Sequence, residues 1–212
     1  MTCSVCANGG VRSPSLRSSL YLAASLAAAV VLGGCAIPGT TDHAAPAIGN
    51  SLLPGDPVPA DSAVIAGWAA GVVASSYQPG PGANSYTDSN RALGSAAGAL
   101  DVVCLGRGGS VTLDLGRTVA DSAGAEIAVY ENGIVGGTAQ EPRVFAELAY
   151  VEVSSDGTIF ARFPVRTSRT TSVGAYESVD PTDYEGFAGI HPALTGTAFD
   201  FAALAGCPDV EN

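Results

Sequence analysis

The length, charge and composition of this chain exclude several protein classes. Its 212 residues include 20 acidic and nine basic residues, all nine of them arginine, for a formal net charge of −11. A charged fraction of 14% beside a hydrophobic fraction of 47% is too apolar for an intrinsically disordered chain. The acidic balance disfavours nucleic acid as a partner, because phosphate groups require clustered basic side chains.

The N-terminal residues have the architecture of a bacterial lipoprotein signal. Arg12 and Arg17 precede an apolar stretch at residues 20–32, which is too short for a comfortable membrane span. The stretch ends in LGGC at residues 32–35, which resembles the lipobox of bacterial lipoproteins. The resemblance implies that residues 1–34 are a signal peptide and that Cys35 is the lipidated first residue, anchored to a membrane by acyl chains such as palmitate. An ordinary cleaved signal and an uncleaved anchor are the alternatives.

Processing before Cys35 would change the inventory of charges and cysteines. The remaining 178 residues keep seven arginines and all 20 acids, for a net charge of −13, and they lose Cys3 and Cys6. Cys104 and Cys207 are then available to form a disulfide in an exported compartment, although Cys104 also fits a small buried core residue. Ala36 stands where some bacteria use Asp for inner-membrane retention, so we expect the outer membrane or cell surface rather than the inner membrane.

A proline-rich tether is predicted at residues 35–60, ahead of a domain at residues 61–212. Five prolines lie among small residues between positions 38 and 59, a composition typical of semi-extended linkers. Beyond Asp61, apolar residues at positions 64, 65, 68, 72 and 73 recur at helical spacing and predict a short helix. Gly67 and Gly71 within this segment leave an irregular strand as the alternative.

From residue 100 onward the pattern is that of short strands. We predict strands at residues 100–105, 110–115, 125–131, 148–154 and 158–165, and Asp156-Gly157 marks a hairpin between the last two. Several such strands joined by glycine-rich turns predict an all-β, antiparallel sandwich. Residues 167–197 are predicted to be a long polar loop, and residues 199–204 a last short helical turn.

An ordered series of motifs carries a resemblance to a known group of proteins. The series is Trp68, YQPG at residues 77–80, NRALG at 90–94, GGSVTL at 108–113, AVYENG at 128–133, AELAYVEVSSDG at 146–157 and GTAFD at 196–200. Over about residues 63–205 the chain resembles poorly characterised bacterial cell-surface proteins. The resemblance implies a secreted, jelly-roll-like β-sandwich and no established catalytic activity. Members of that group continue past the Phe199-Asp200 segment with further strands, which implies that the domain is truncated at its C-terminus or that those strands are dispensable.

Acidic residues beside strand ends are the main candidates for chemistry. Glu131, Asn132, Glu147 and Asp200 offer the oxygen ligands that calcium takes in proteins, so we predict a calcium site there. Glu131 and Glu147 are also candidates for the acid and the nucleophile or base of a glycosidase, and solvent-exposed acids without a ligand are the third interpretation.

Three aromatic residues of the long loop are candidates for ligand binding. Tyr176, Tyr184 and Phe187 are of the kind that stack on sugars in glycan-binding sandwiches, or that pin a loop to the core.

Together these features predict a lipid-anchored, non-catalytic binding or adhesion module with a glycan or a surface protein as partner. The sequence contains no G-x-S-x-G elbow and no H-E-x-x-H motif for nucleophilic or zinc hydrolysis. An exported hydrolase with paired carboxylates and a purely structural envelope lipoprotein are the alternatives.

Overall fold

The protein is built from short strands. The computed structural model describes residues 1–7, 27–31, 52, 54–78, 86–98, 100–173 and 177–205. Helical turns in this part of the chain are 3-10 turns at Ser89–Ala92, Pro181–Asp183 and Phe201–Leu204, the last of them at the predicted helical turn. Every pairing between the strands is antiparallel, which confirms the predicted all-β class. In chain order the strands are β1 (Thr2–Ala7), β2 (Ala27–Val31), β3 (Pro57–Pro59), β4 (Ile65–Trp68), β5 (Gly71–Ser76), β6 (Ser110–Asp114), β7 (Ile127–Tyr130), β8 (Ile134–Gly137), β9 (Pro142–Phe145), β10 (Ala149–Ser154), β11 (Ala161–Arg162), β12 (Arg166–Thr167), β13 (Tyr184–Glu185) and β14 (Thr195–Phe199).

Two five-stranded sheets and two small two-stranded sheets organise these strands. The first large sheet has the order β11-β10-β1-β6-β5, and the second has the order β3-β14-β7-β2-β4. The small sheets pair β8 with β9 and β12 with β13.

The largest apolar cluster contains side chains from both five-stranded sheets. Antiparallel sheets with alternating inward residues bury one face in this way. Phe163 and Phe199 make one of its aromatic contacts, with ring centroids 5.1 Å apart. Its members include Val111, Leu113, Ile127, Val129, Val151, Val153 and Phe199, each at most 2% exposed.

Strand β7 is buried on both faces, which explains why its sequence is a continuous apolar run. Ile127 and Val129 belong to the largest cluster, whereas Ala128 and Tyr130 belong to a second cluster on the other side of the sheet. Trp68 packs against Tyr130 there, with ring centroids 5.1 Å apart. Because side chains alternate between the two faces along a strand, Glu131, two residues after Val129, lies on the same face as Ile127 and Val129. This is the face that points toward the largest cluster.

The hairpin predicted at Asp156-Gly157 is confirmed. Strands β10 and β11 pair antiparallel, with Val153 opposite Ala161. The Asp156 carboxylate accepts the backbone N–H groups of Thr158 and Ile159 at 2.7 and 2.9 Å. Gly157 has a φ of +74°, which a residue without a side chain adopts most readily. Thr158 and Ile159 belong to the turn and not to the predicted strand at 158–165, and β11 is shorter than predicted.

Two predictions about the start of the domain need correction. The short helix predicted beyond Asp61 does not form, because β4 and β5 occupy this segment, as the alternative of an irregular strand required. The predicted tether ends before residue 60, since β3 pairs with β14 and Val58 is 1% exposed. The two prolines are compatible with a strand because β3 lies at the edge of its sheet.

Two further segments differ from the sequence-based expectation. Residues 102–105 are buried as expected but form no strand, and the Cys104 N–H donates to the Tyr86 carbonyl at 2.7 Å. The long loop at 167–197 is largely structured. Its described part contributes β13, part of β14 and a third apolar cluster that includes Val179, Phe187 and Ile190.

Strands β1 and β2 lie inside the two large sheets. Strand β1 pairs with β10 on one side and β6 on the other, and β2 pairs with β7 and β4. Both belong to residues 1–34, where the sequence predicts a signal peptide. Arg12, Arg17 and Cys35 lie outside the described residues, and the processing of this segment stays a prediction.

Candidate functional site: a buried pair of glutamates

Two glutamates converge where strand β7 ends. Glu131 directly follows β7 and is 5% exposed. Glu147 lies in the short connection between β9 and β10 and is half-buried. The charge of Glu147 acts on the Glu131 carboxyl, and the Glu147 backbone N–H donates to it. Both residues were predicted as candidate functional acids beside strand ends, and the structure brings them together.

Burial dominates the electrostatics of this pair. It raises the pKa of the Glu131 carboxyl well above its usual range, and the neighbouring Glu147 carboxylate raises it further. The backbone N–H groups of Asn132, Gly133 and Glu147 oppose this effect by donating to the Glu131 carboxylate. Burial also raises the pKa of Glu147 to about 8. Glu147 is therefore mostly protonated at neutral pH, and burial favours the protonated form of Glu131 as well.

One oxygen of each carboxyl has no hydrogen-bond partner among the described residues. Glu131 Oε2 and Glu147 Oε2 are both buried. Buried polar atoms are almost always paired, so each of these unpaired oxygens marks a place where a proton or a cation is required.

Two glycines allow the backbone to approach the pair closely. A Cβ atom placed on Gly133 would lie 3.2 Å from Glu131 Oε2 and 2.6 Å from the His191 carbonyl oxygen. A Cβ atom on Gly189, which has a φ of +86°, would lie 3.4 Å from Glu131 Cγ and 2.5 Å from the Glu147 carbonyl oxygen. Carbonyl oxygens of two different loops therefore lie beside the Glu131 carboxylate.

A small void adjoins Glu131. Its volume of about 10 Å³ matches the space that one water molecule or ion requires. An exposed ion pair between Arg91 and Asp101, with a nitrogen–oxygen distance of 3.4 Å, contributes to its wall. Tyr130, Asn132 and Leu194 also line it, whereas Glu147 does not.

Asp200 does not join the other predicted calcium ligands. Phe199 pairs with Ile127, so Asp200 lies at the start of β7, and Glu131 lies beyond the other end of that strand. The strand separates them by roughly 10 Å or more. Asn132 stays beside Glu131 and lines the void. The four predicted ligands are thus divided between two places.

Asp200 belongs instead to an acidic cluster that the sequence analysis missed. Oxygen atoms of Asp121, Glu126 and Asp200 lie within 4.8 Å of one another. Glu126 is already satisfied by the protein, because its carboxylate accepts the Ser122 N–H at 3.0 Å and the Phe201 N–H at 2.7 Å. The antiparallel register of β7 and β14 creates this cluster, and no local sequence signal encodes that register.

The predicted ligand-binding aromatics have a packing role. Tyr184 and Phe187 are 7% and 4% exposed, lie in the third apolar cluster and meet edge to face with centroids 5.9 Å apart. Neither ring presents a face to solvent, so the interpretation that they pin the loop to the core applies to both. Tyr176 lies outside the described residues.

The predicted cysteine roles fall largely outside the described residues. Cys104 is buried at 1% exposure. Cys207, its predicted disulfide partner, and Cys35, the predicted lipidation site, are not among the described residues. The disulfide and the lipid anchor therefore stay predictions.

Comparisons with known proteins leave the function to be argued from this geometry. The chain matches no protein-family model, no curated protein and no solved structure. Within the described residues, no helix has both the length and the apolar character needed to span a membrane.

Proposed function

We propose that the protein is a lipid-anchored bacterial cell-surface protein whose β domain is a non-catalytic binding or adhesion module of the sandwich type. The lipobox-like LGGC at residues 32–35 supports the anchor. The shared apolar cluster of the two five-stranded sheets supports the sandwich. A glycan or a surface protein is the partner of such a module.

The closed environment of the glutamate pair is the observation that carries this proposal. A glycosidase places a sugar between its two carboxyl groups. Here the Oε2 atoms of Glu131 and Glu147 are both buried, and the void beside Glu131 has a volume of only about 10 Å³. This burial supports a non-catalytic role for the pair, because a sugar needs access to both carboxyl groups.

The exposed side chains favour a protein over a glycan as the partner. Tyr184 and Phe187, which the sequence offered for sugar stacking, are buried. Ile134 and Val135 are neighbours on β8 and are 63% and 70% exposed. Large exposed apolar side chains supply contact area in protein interfaces, and β8 presents one of them on each of its faces.

An adhesion assay with displayed protein tests the binding role. Cells that carry the wild-type protein are compared with cells that carry the double variant Ile134→Ser, Val135→Ser at equal surface level. We expect the double variant to lose adhesion to other cells or to a protein-coated surface. Val73→Ser is the matched control, because Val73 is 55% exposed on β5. Equal adhesion of all three, together with no signal on a glycan array, contradicts the proposed module.

Metabolic labelling with an alkyne-tagged fatty acid tests the anchor separately. We expect the wild-type protein to incorporate the label and Cys35→Ser to lose it. An unlabelled wild-type protein contradicts the lipid anchor and leaves the adhesion result unaffected.

A hydrolase is the second candidate, and one observation favours it. Burial raises the pKa of Glu147 to about 8, so this carboxyl is protonated at neutral pH, as a general acid must be. A polysaccharide panel assayed with the wild type, Glu131→Gln and Glu147→Gln decides the matter. Hydrolysis by the wild type that is lost in both variants establishes the enzyme, and activity retained in both removes these residues from it.

A further inference from the structure

We propose that Glu131 and Glu147 together bind a calcium ion where strand β7 ends. Glu131 is 95% buried, since its exposed fraction is 5%, and its Oε2 atom has no partner among the described residues. Glu147 Oε2 is likewise buried and unpaired. The inference does not depend on the lipid anchor or on the partner of the module.

Oxygen atoms from separate elements surround this point. A Cβ atom placed on Gly133 would lie 3.2 Å from Glu131 Oε2 and 2.6 Å from the His191 carbonyl oxygen. The Glu131 Oε2 atom and the His191 carbonyl oxygen are therefore within about 6 Å of each other. A Cβ atom placed on Gly189 would lie 2.5 Å from the Glu147 carbonyl oxygen and 3.4 Å from Glu131 Cγ, so this carbonyl also lies near the Glu131 side chain. Calcium binds oxygen ligands at about 2.3 to 2.6 Å, so ligands on opposite sides of the ion are about 5 Å apart. The Glu131 carboxylate and the carbonyl oxygens of His191 and Glu147 thus lie near one point, and the charge of the Glu147 carboxylate acts on the Glu131 carboxyl.

Among the described residues, no arginine is one of the main groups that act on the Glu131 carboxyl. Three described arginines form ion pairs elsewhere: Arg91 binds Asp101, Arg162 binds Glu152 and Arg169 binds Glu177. Removing two carboxylates from water without a counterion is strongly unfavourable. A divalent cation neutralises both charges at once.

The chemistry of the ligands selects calcium among the common cations. The atoms that face this point are carboxylate and carbonyl oxygens, which are hard ligands, and no thiolate or imidazole nitrogen is among them. Magnesium demands near-ideal octahedral geometry and keeps several of its waters, which an irregular set of protein oxygens does not provide. Calcium accepts an irregular set of protein oxygens and is bound by extracellular modules with dissociation constants of about 0.1 to 1 mM.

Thermal unfolding of the full chain tests the site. Samples are stripped with EDTA and then titrated with calcium, and direct binding is followed by terbium(III) luminescence. At ten times the dissociation constant, calcium is expected to raise the Tm by about 3 to 6 °C. We expect Glu131→Gln to lose both the Tm shift and terbium binding, while its Tm in EDTA stays equal to or above that of the wild type, because Gln is neutral and burial disfavours a charged carboxylate at this position.

Two further variants make the outcome decisive. Glu147→Gln should behave like Glu131→Gln, and it carries the test alone if Glu131→Gln fails to fold. Asp121→Asn, in the other acidic cluster, should keep the full calcium response. A wild-type Tm that does not change up to roughly 10 mM calcium overturns the proposal. A response that persists in both glutamate variants and disappears in Asp121→Asn also overturns it and assigns the cation to the other cluster.

Discussion

Glu147 should make the stability of the calcium-free protein fall as the pH rises. Burial raises its pKa from 4.5 to about 8 in the folded state. Below about pH 4.5 the carboxyl is protonated in both the folded and the unfolded chain, so its ionisation does not change the free energy of unfolding. Between about pH 4.5 and 8 the unfolded chain releases the proton while the folded chain keeps it, so stability is lost progressively. Above about pH 8 the loss is complete.

The size of this effect follows from the pKa. Each factor of ten in the ionisation constant is worth about 1.4 kcal/mol, so a change from 4.5 to about 8 corresponds to roughly 5 kcal/mol. Glu147 is only half-buried, and local relaxation around the ionised carboxylate reduces this value. We expect Glu147→Gln to be about 2 to 5 kcal/mol more stable than the wild type at about pH 9, and nearly equal to it at about pH 4.

Urea unfolding in EDTA, repeated across this pH range, measures the difference. Glu141→Gln is the matched control, because Glu141 is exposed, and its difference from the wild type should be small at every pH. If the gap between the wild type and Glu147→Gln is the same at both ends of the range, the burial argument is refuted.

Three further substitutions probe the packing around the site and the core. Gly133→Ala should lower the free energy of unfolding in urea by about 1 to 3 kcal/mol, because the new Cβ atom would lie 2.6 Å from a backbone carbonyl oxygen. Gly98→Ala is the control and should not destabilise the protein, because a Cβ atom on Gly98 would have no atom within 4 Å. Leu113→Ala should cost about 2 to 5 kcal/mol at a fully buried position, and Leu100→Ala, at a position 73% exposed, should be close to neutral; equal effects would contradict the core assignment. Tyr184→Phe should leave the melting temperature unchanged or higher, since the buried hydroxyl has no partner among the described residues, and a marked loss would reveal a hydrogen bond to that hydroxyl.

Local signals in the sequence were sufficient for part of the fold. Asp156-Gly157 specifies a turn through its side chain and a positive φ, and both effects are encoded within a few residues. The strand predicted at residues 100–105 does not form, because residues 102–105 are buried without pairing in a sheet, and an apolar run alone does not distinguish the two situations. The hairpin of β8 and β9 was missed because β8 is largely exposed and half of its residues are glycine, while β9 has only four residues, so neither strand shows an alternation long enough to detect.

In the candidate site, too, one feature could be predicted from local sequence and the others depend on long-range packing. The phase of Ile127 and Val129 already indicates that Glu131 faces the core, and this signal was available in the sequence. The meeting of Glu131 with Glu147 depends on how the connection between β9 and β10 packs against Gly189, which no sequence pattern reports. The separation of Asp200 depends on the register of β7 and β14, a contact between residues about 70 positions apart.

The interior position of β1 and β2 couples the architecture of the domain to the predicted removal of residues 1–34. If a peptidase removes residues 1–34, strands β6 and β10 face each other across a slot one strand wide, about 9.5 Å, and β4 and β7 do the same. Each slot exposes two rows of unpaired backbone groups that only another extended segment satisfies. The mass of the mature protein therefore reports more than a cleavage site: it tells whether the folded domain keeps its own central strands or receives them from another stretch of polypeptide.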